Sequence, residues 1–294
     1  MKKTHLVFVS LLLILCSCGG KTKRNTTENN VTGIEKAEAF GWNLAIQSYT
    51  FHKFNVIEAL DKTKELGIHY IEIYPGHKLG GEWGDTPFGY QMTKEQIKGI
   101  KDLAASKDIT IVGTGVFTTD NPDDWKLLFD FAKEMSLEFI TCEPNIEHWD
   151  IVEKLSKESG IKVAVHNHPK PSNYWNANLL MEQIKDRSTT IGSCADIGHW
   201  SREGFDPTES FKTLQGRVIS LHIKDILDKP EDGSWQEDTI WGHGILNLEE
   251  ILSELKKQDF KGFLSIEYEY NWENSVNDIK ECIKHYEELT DKIF

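Results

Sequence analysis

An eightfold alternation constrains this chain more than any other feature. From residue 42 onward, short runs rich in β-branched and aromatic residues alternate with longer amphipathic runs. That alternation is the pattern of βαβ units and a parallel sheet. The strand-like runs are 44–50, 70–74, 110–116, 139–143, 162–166, 191–196, 218–223 and 263–267. The helical patterns between them are 56–66, 94–106, 123–135, 146–157, 178–185, 207–214, 248–257 and 276–289. Gly67, Gly160, Gly216 and Gly262 fall near helix ends, where a left-handed cap suits glycine. Eight strands and eight helices are what a closed (β/α)8 barrel needs, whereas a doubly wound sheet more often has five or six strands. Such a barrel takes roughly 250 residues, so a chain of 294 holds one and no second domain is required. Residues 41–294 are therefore expected to form a single α/β barrel.

The residues before it read as an address. Met1-Lys2-Lys3 precedes an apolar run from Leu6 to Leu15, which ends in Cys16-Ser17-Cys18-Gly19. A basic start, about ten apolar residues and small residues at the end make a signal peptide, too short to span a ~30 Å hydrocarbon core. Leu15-Cys16-Ser17-Cys18 resembles a bacterial lipobox, which implies removal of residues 1–17 and lipidation of Cys18. An ordinary cleaved signal is the alternative. Residues 18–40, rich in Lys, Thr, Asn and Glu, are expected to be a flexible tether. The expected location is the cell envelope, with the membrane touched only through the anchor. Beyond the signal, Cys142, Cys194 and Cys282 are too few and too scattered for a disulfide framework or a thiolate metal site.

Chemistry in such barrels sits at the carboxyl ends of the strands, and here those ends are consistently ionisable. Strand four ends in Glu143, and strand five in His166-Asn167-His168. Strand six ends in Asp196-Ile197-Gly198-His199-Trp200, strand seven in His222-Ile223-Lys224-Asp225, and strand eight in Glu267-Tyr268-Glu269. Glu143, Asp196 and Glu267 would repel one another in a dry pocket, and one divalent cation would hold them charged. With His222 and His166 they make an oxygen and nitrogen donor set without sulfur, suited to Mn, Co, Zn or Mg. Lys224, two residues after His222, points the same way along its strand and is expected to stabilise a developing oxyanion, an ion pair with Asp225 or a neighbouring carboxylate being the alternative. His199 is expected to reach a substrate oxygen or the surroundings of the metal.

A net charge of -14 weighs against nucleic-acid binding and leaves a neutral small molecule as the expected partner. Indole faces stack on sugar rings. Trp175, Trp200, Trp235, Trp241 and Trp272 lie beyond strand ends, and a long loop after strand seven carries Gly242-His243-Gly244. Trp200, Arg202, Trp241 and His243 are the expected substrate contacts.

The runs Asp196-Ile-Gly-His199, His222-Ile-Lys-Asp225, Gly242-His-Gly244-Ile-Leu-Asn and Gly262-Phe-Leu-Ser-Ile-Glu267 resemble the xylose-isomerase-like barrel superfamily of sugar isomerases, epimerases and apurinic endonucleases. The resemblance implies a metal held after strands five to eight by Glu, Asp, His and Glu. Asp196, His222 and Glu267 match the last three. His166 stands where the family has its fifth-strand glutamate, so the paired-glutamate epimerase scheme does not carry over directly, and Glu143 is the compensating candidate. Proton transfer is expected to fall to Glu143, His168, His199, Lys224 and Glu267. The resemblance thus implies a metal-dependent isomerase or epimerase acting on a keto sugar through an enediolate. A metal-dependent hydratase or lyase of an oxidised (3-keto) sugar or glycoside and a non-catalytic sugar-binding lipoprotein are the alternatives.

Overall fold

A computed structural model describes residues 31–294. The signal segment and Cys18 lie outside the described residues. In chain order the elements are α1 (Gly33–Phe40), β1 (Trp42–Gln47), α2 (Val56–Glu65), β2 (Tyr70–Ile73), α3 (Lys94–Ser106), β3 (Thr110–Phe117), α4 (Asp123–Met135), β4 (Phe139–Cys142), α5 (Trp149–Ser159), β5 (Lys162–Val165), α6 (Ala177–Ile184), β6 (Ile191–Asp196), α7 (Ile197–Arg202), α8 (Pro207–Thr213), β7 (Val218–Ile223), the short pair β8 (Asp225–Ile226) and β9 (Asp238–Thr239), α9 (Leu248–Lys257), β10 (Gly262–Ile266) and α10 (Val276–Ile293). The eight long strands pair in parallel and close in the order β1-β10-β7-β6-β5-β4-β3-β2, while β8 and β9 form a separate antiparallel ribbon. The expected barrel is present.

Several helix starts follow from local chemistry. Asn55 with Glu58 and Thr93 with Gln96 form reciprocal capping boxes at α2 and α3, each satisfying two otherwise unpaired N–H groups. The same device overturns one expectation. Thr32 and Glu35 box the start of α1, and Ala37 is buried where this helix packs along α10. The stretch read as tether through residue 40 therefore ends in a helix, because polar residues at 32 and 35 are a cap rather than linker composition. Gly262 is likewise the first residue of β10 and not a helix cap.

The side-chain period of two sorts each strand into an inward and an outward set. Ala45, Val112, Phe139, Ala164, Cys194 and Phe263 form a compact apolar plug inside the barrel, with Tyr70 and Ile219 against it. Two residues further along their strands stand Gln47, Glu72, Thr114, Thr141, His166, Asp196 and Ser265, all buried. An apolar floor thus carries a polar layer that opens at the carboxyl-end mouth. The much larger outer core lies between strands and helices. Among the described residues, no helix is long and apolar enough to cross a membrane.

Candidate metal centre and active-site mouth

His166, Asp196, His222 and Glu267 come from β6, β7 and the residues just past β5 and β10, and all four are buried. Each offers a ligand atom within 4.8 Å of the others'. Nε2 of His166, Oδ2 of Asp196 and Nδ1 of His222 have no hydrogen-bond partner, an unusual condition for buried polar atoms. The second nitrogen of each ring is held by a carboxylate. Nδ1 of His166 lies 3.2 Å from Oε1 of Glu143, and Nε2 of His222 lies 3.0 Å from Oε2 of Glu72. Carboxylates in that position orient metal-ligating histidines and fix the tautomer. A set of two nitrogens and two carboxylates, its free atoms converging, fits a divalent ion such as Zn, Mn or Co.

Charge supports the same conclusion. Glu72, Glu143, Asp196, Asp238, Glu267 and Glu269 crowd the mouth against two permanent cations, Lys224 and Arg202. Burial opposes the charge of Asp196, but the Lys224 cation and His166 hold its carboxyl well below the usual range. Burial likewise opposes Glu267, and Lys224 and His222 hold it ionised. For His166, burial is outweighed by Asp196 and Glu143, which lift the imidazole to about 10. A metal at the cluster would take the place of protons on these rings.

The geometry reassigns three expected residues. Glu143 stands outside the four-group cluster, on the far side of His166. It accepts from Nδ1 of His168 at 2.7 Å, from the His168 backbone at 2.9 Å and from the Ser172 hydroxyl at 2.7 Å. It orients two histidines and flanks the four-group cluster. Lys224 is fully buried, its Nζ 2.8 Å from Glu267, 2.9 Å from Glu269 and 3.0 Å from Asp196. Two of its three ammonium protons are donated to Glu267 and Glu269, and its charge lies beside Oδ2 of Asp196 without a hydrogen bond to it, so Lys224 keeps three carboxylates together. Gly198 makes room for it, since a Cβ there would lie 2.5 Å from the Lys224 side chain. Arg202 is 3% exposed and turns inward. It donates to the Gln236 carbonyl, to Asp238 and, at 3.2 Å, to Nδ1 of His199. That last bond places the His199 proton on Nε2. Burial and the nearby Lys224 cation, against the pull of Asp196, keep the ring neutral.

The expected tryptophan contacts move as well. Trp200 and Trp241 are core residues, packed edge-on against Phe211 and Tyr286. Their positions past strand ends belong to α7 and to a loop folded back on α10. His243 is exposed and absent from the mouth lining. The turn that carries it is a latch. Asp225 accepts backbone N–H groups from Ile226, Gly242, Gly244 and Leu246 at 2.9–3.1 Å, which explains the pairing of the two motifs in structural terms.

The mouth itself is a cavity of about 390 Å³ lined by Gln47, Tyr49, Tyr74, His168, His199, Trp235, Glu267 and Glu269, among others. Gln47, Tyr49, Glu72 and Tyr74 escaped the reading of strand ends, and Glu269 was placed there without a role. Glu72 sits inside β2, where the signal was a lone carboxylate in the apolar run Tyr-Ile-Glu-Ile. Glu269 shares the inward parity of Glu267, which was the available signal for it.

The model of the xylose isomerase-like TIM barrel family matches residues 60–289. An inosose isomerase of Halalkalibacterium halodurans is 24% identical over 249 residues, 75% of this chain and 85% of that protein. Inosose dehydratase 2 of Bacillus cereus is 23% identical over 274 residues, 87% and 80% of the two chains. A crystal structure of an uncharacterised protein from Parabacteroides distasonis superposes with a TM-score of 0.69 at 33% identity, covering 84% of this chain and 98% of that one. With the family model covering most of the barrel and the strand-end acids and histidines gathered at one mouth, the chain belongs to the xylose isomerase-like TIM barrel family.

Proposed function

We propose that the protein is a metal-dependent isomerase or epimerase of an uncharged keto sugar or cyclic polyol ketone, removing a proton alpha to the carbonyl. The observation that carries this reading is the buried cluster of unpartnered ligand atoms beneath a cavity lined by Glu267, His168 and His199. Similarity to proteins named inosose isomerase and inosose dehydratase supports a ketone-bearing polyol as substrate. His166, Asp196, His222 and Glu267 would hold the ion, which would act as a Lewis acid toward substrate oxygens.

The chain's own groups divide the proton work. Glu267 is ionised at neutral pH and is the base for the alpha carbon. His168, its Nδ1 tied to Glu143, keeps Nε2 for exchanging a proton at the substrate oxygen or the far carbon. His199 offers a neutral Nε2–H to a hydroxyl, and Arg202 sets that tautomer. Gln47, Tyr49 and Tyr74 complete the polar lining.

A second reading, elimination of water, draws support from the same His168–Glu143 pair. After the alpha C–H bond breaks at Glu267, the beta C–O bond breaks, a C=C bond forms, and His168 protonates the departing hydroxyl. We also take the chain to be exported and anchored through Cys18.

Proton NMR of inosose and of common ketohexoses in heavy water, with and without added Mn, tests the proposal. Loss of the alpha-proton signal that requires both enzyme and metal is expected. A new isomer marks the first reading and an unsaturated product the second. Sugar binding without any alpha exchange would overturn both and leave a binding lipoprotein.

A further inference from the structure

We infer that the site takes a glycoside of at least two rings, with a neutral second ring seated outside the reacting one. This rests on the proposed sugar chemistry of the inner cavity. A second cavity of about 720 Å³ adjoins the mouth and shares Trp235 and Glu269 with it. The inner space of about 390 Å³ lies near the lower end of ligand sites, ~300–1,000 Å³, and suits one ring. The outer space is the larger.

The outer lining has the chemistry that recognises a sugar. Trp235 is 54% exposed and Tyr270 44% exposed, and Trp272 joins them. The indole of Trp235 is braced on one side, with the Arg202 guanidinium 4.4 Å from its ring centroid and His199 6.1 Å away. Trp272 is braced edge-on by His52 at 4.2 Å and by Tyr49 at 5.9 Å. Tyr49 itself lines the inner cavity, so the aromatic surface runs from one cavity to the other without a break. Rigid, exposed aromatic faces of this kind give stacking area at little cost in order. Asn271, Asn274 and Glu273 supply donors and acceptors for hydroxyls.

Charge defines the class further. Glu237, Glu269 and Glu273 outnumber Lys53 in the outer cavity, and among the described residues no arginine lines either cavity. Phosphate recognition draws on Arg and Lys clusters, so sugar phosphates and uronates are repelled. An uncharged glycosyl group is what fits.

The test is calorimetric titration of the full chain with cellobiose, lactose, sucrose and trehalose against glucose and galactose, with saturation-transfer NMR on the bound sugars. We expect at least one disaccharide to bind about tenfold more tightly than its monosaccharides, with saturation reaching both rings. Trp272→Ala and the exposed Tyr270→Ala should each lower that ratio toward one. Equal affinity for all six sugars, or saturation confined to one ring, overturns the inference. Alpha exchange on monosaccharide ketones without any disaccharide preference removes the second subsite and leaves the proposed function standing. A disaccharide preference without alpha exchange on any ketone does the reverse.

Discussion

Asp225→Ala tests whether the loop over the mouth is held by one carboxylate. In the folded protein Oδ1 accepts from Ile226 at 3.0 Å and Leu246 at 3.1 Å, while Oδ2 accepts from Gly242 and Gly244 at 2.9 Å each. Hydrogen bonds to a charged group contribute roughly 1.5–3 kcal/mol apiece. Gly242 is exposed, and Gly244 and Leu246 are partly so, so water can replace some of these partners in the variant. Burial pushes the Asp225 carboxyl up from its ordinary value, a desolvation cost that also offsets part of the gain. Two bonds' worth, about 3 kcal/mol, is the expected loss. Asn in place of Asp225 keeps one oxygen and turns an NH2 toward two N–H donors, so it should recover at most half. Urea unfolding at pH 7, followed by tryptophan fluorescence, measures both. A loss under about 1 kcal/mol for Ala, or full recovery by Asn, would refute the latch.

Other consequences are as direct. Glu72→Gln weakens the hold on Nε2 of His222, and Mn affinity by calorimetry should fall about 10- to 100-fold with the thermal unfolding of the metal-free protein little changed. His77 is buried, its Nε2 on the Phe54 carbonyl and its ring stacked on Tyr74, and burial lowers it to about 4. Its folded value lies below its unfolded value, so its contribution is complete above pH ~6.5 and is lost as pH falls toward 4, about 3 kcal/mol in all. Urea midpoints from pH 7 to 4 should show this slope in the wild type and a shallower one in His77→Gln. Cys18→Ala should release the protein from the membrane fraction, and unaltered membrane association would remove the anchor from the account.

The barrel was legible because its periodicities are local: β-branched runs and amphipathic helices announce themselves within a few residues. The convergence of His166, Asp196, His222 and Glu267 at one mouth was legible for the same reason, since each lies at or just past the end of an apolar strand. Lys224 was placed at the right mouth, and of its two expected roles the structure shows the ion pair with neighbouring carboxylates. Its partners Glu267 and Glu269 come from another strand and Asp196 from a third, and such a contact has no local signature. Trp200 and Trp241 were misjudged because position after a strand does not say which way a helix or loop turns. The rotation of α7 sends Trp200 into the core, and the Asp225 latch belongs to the fold that buries Trp241 against α10. Glu72 needed the knowledge that β2 lies close enough to β7 across the barrel for their side chains to meet.

The account stands most directly on the metal centre. Equilibrium dialysis against Mn or Zn followed by elemental analysis should give one ion per wild-type chain, and a marked loss in both Asp196→Asn and Glu267→Gln, each with barrel circular dichroism intact. Full occupancy in both variants, or no ion retained by the wild type, would contradict it.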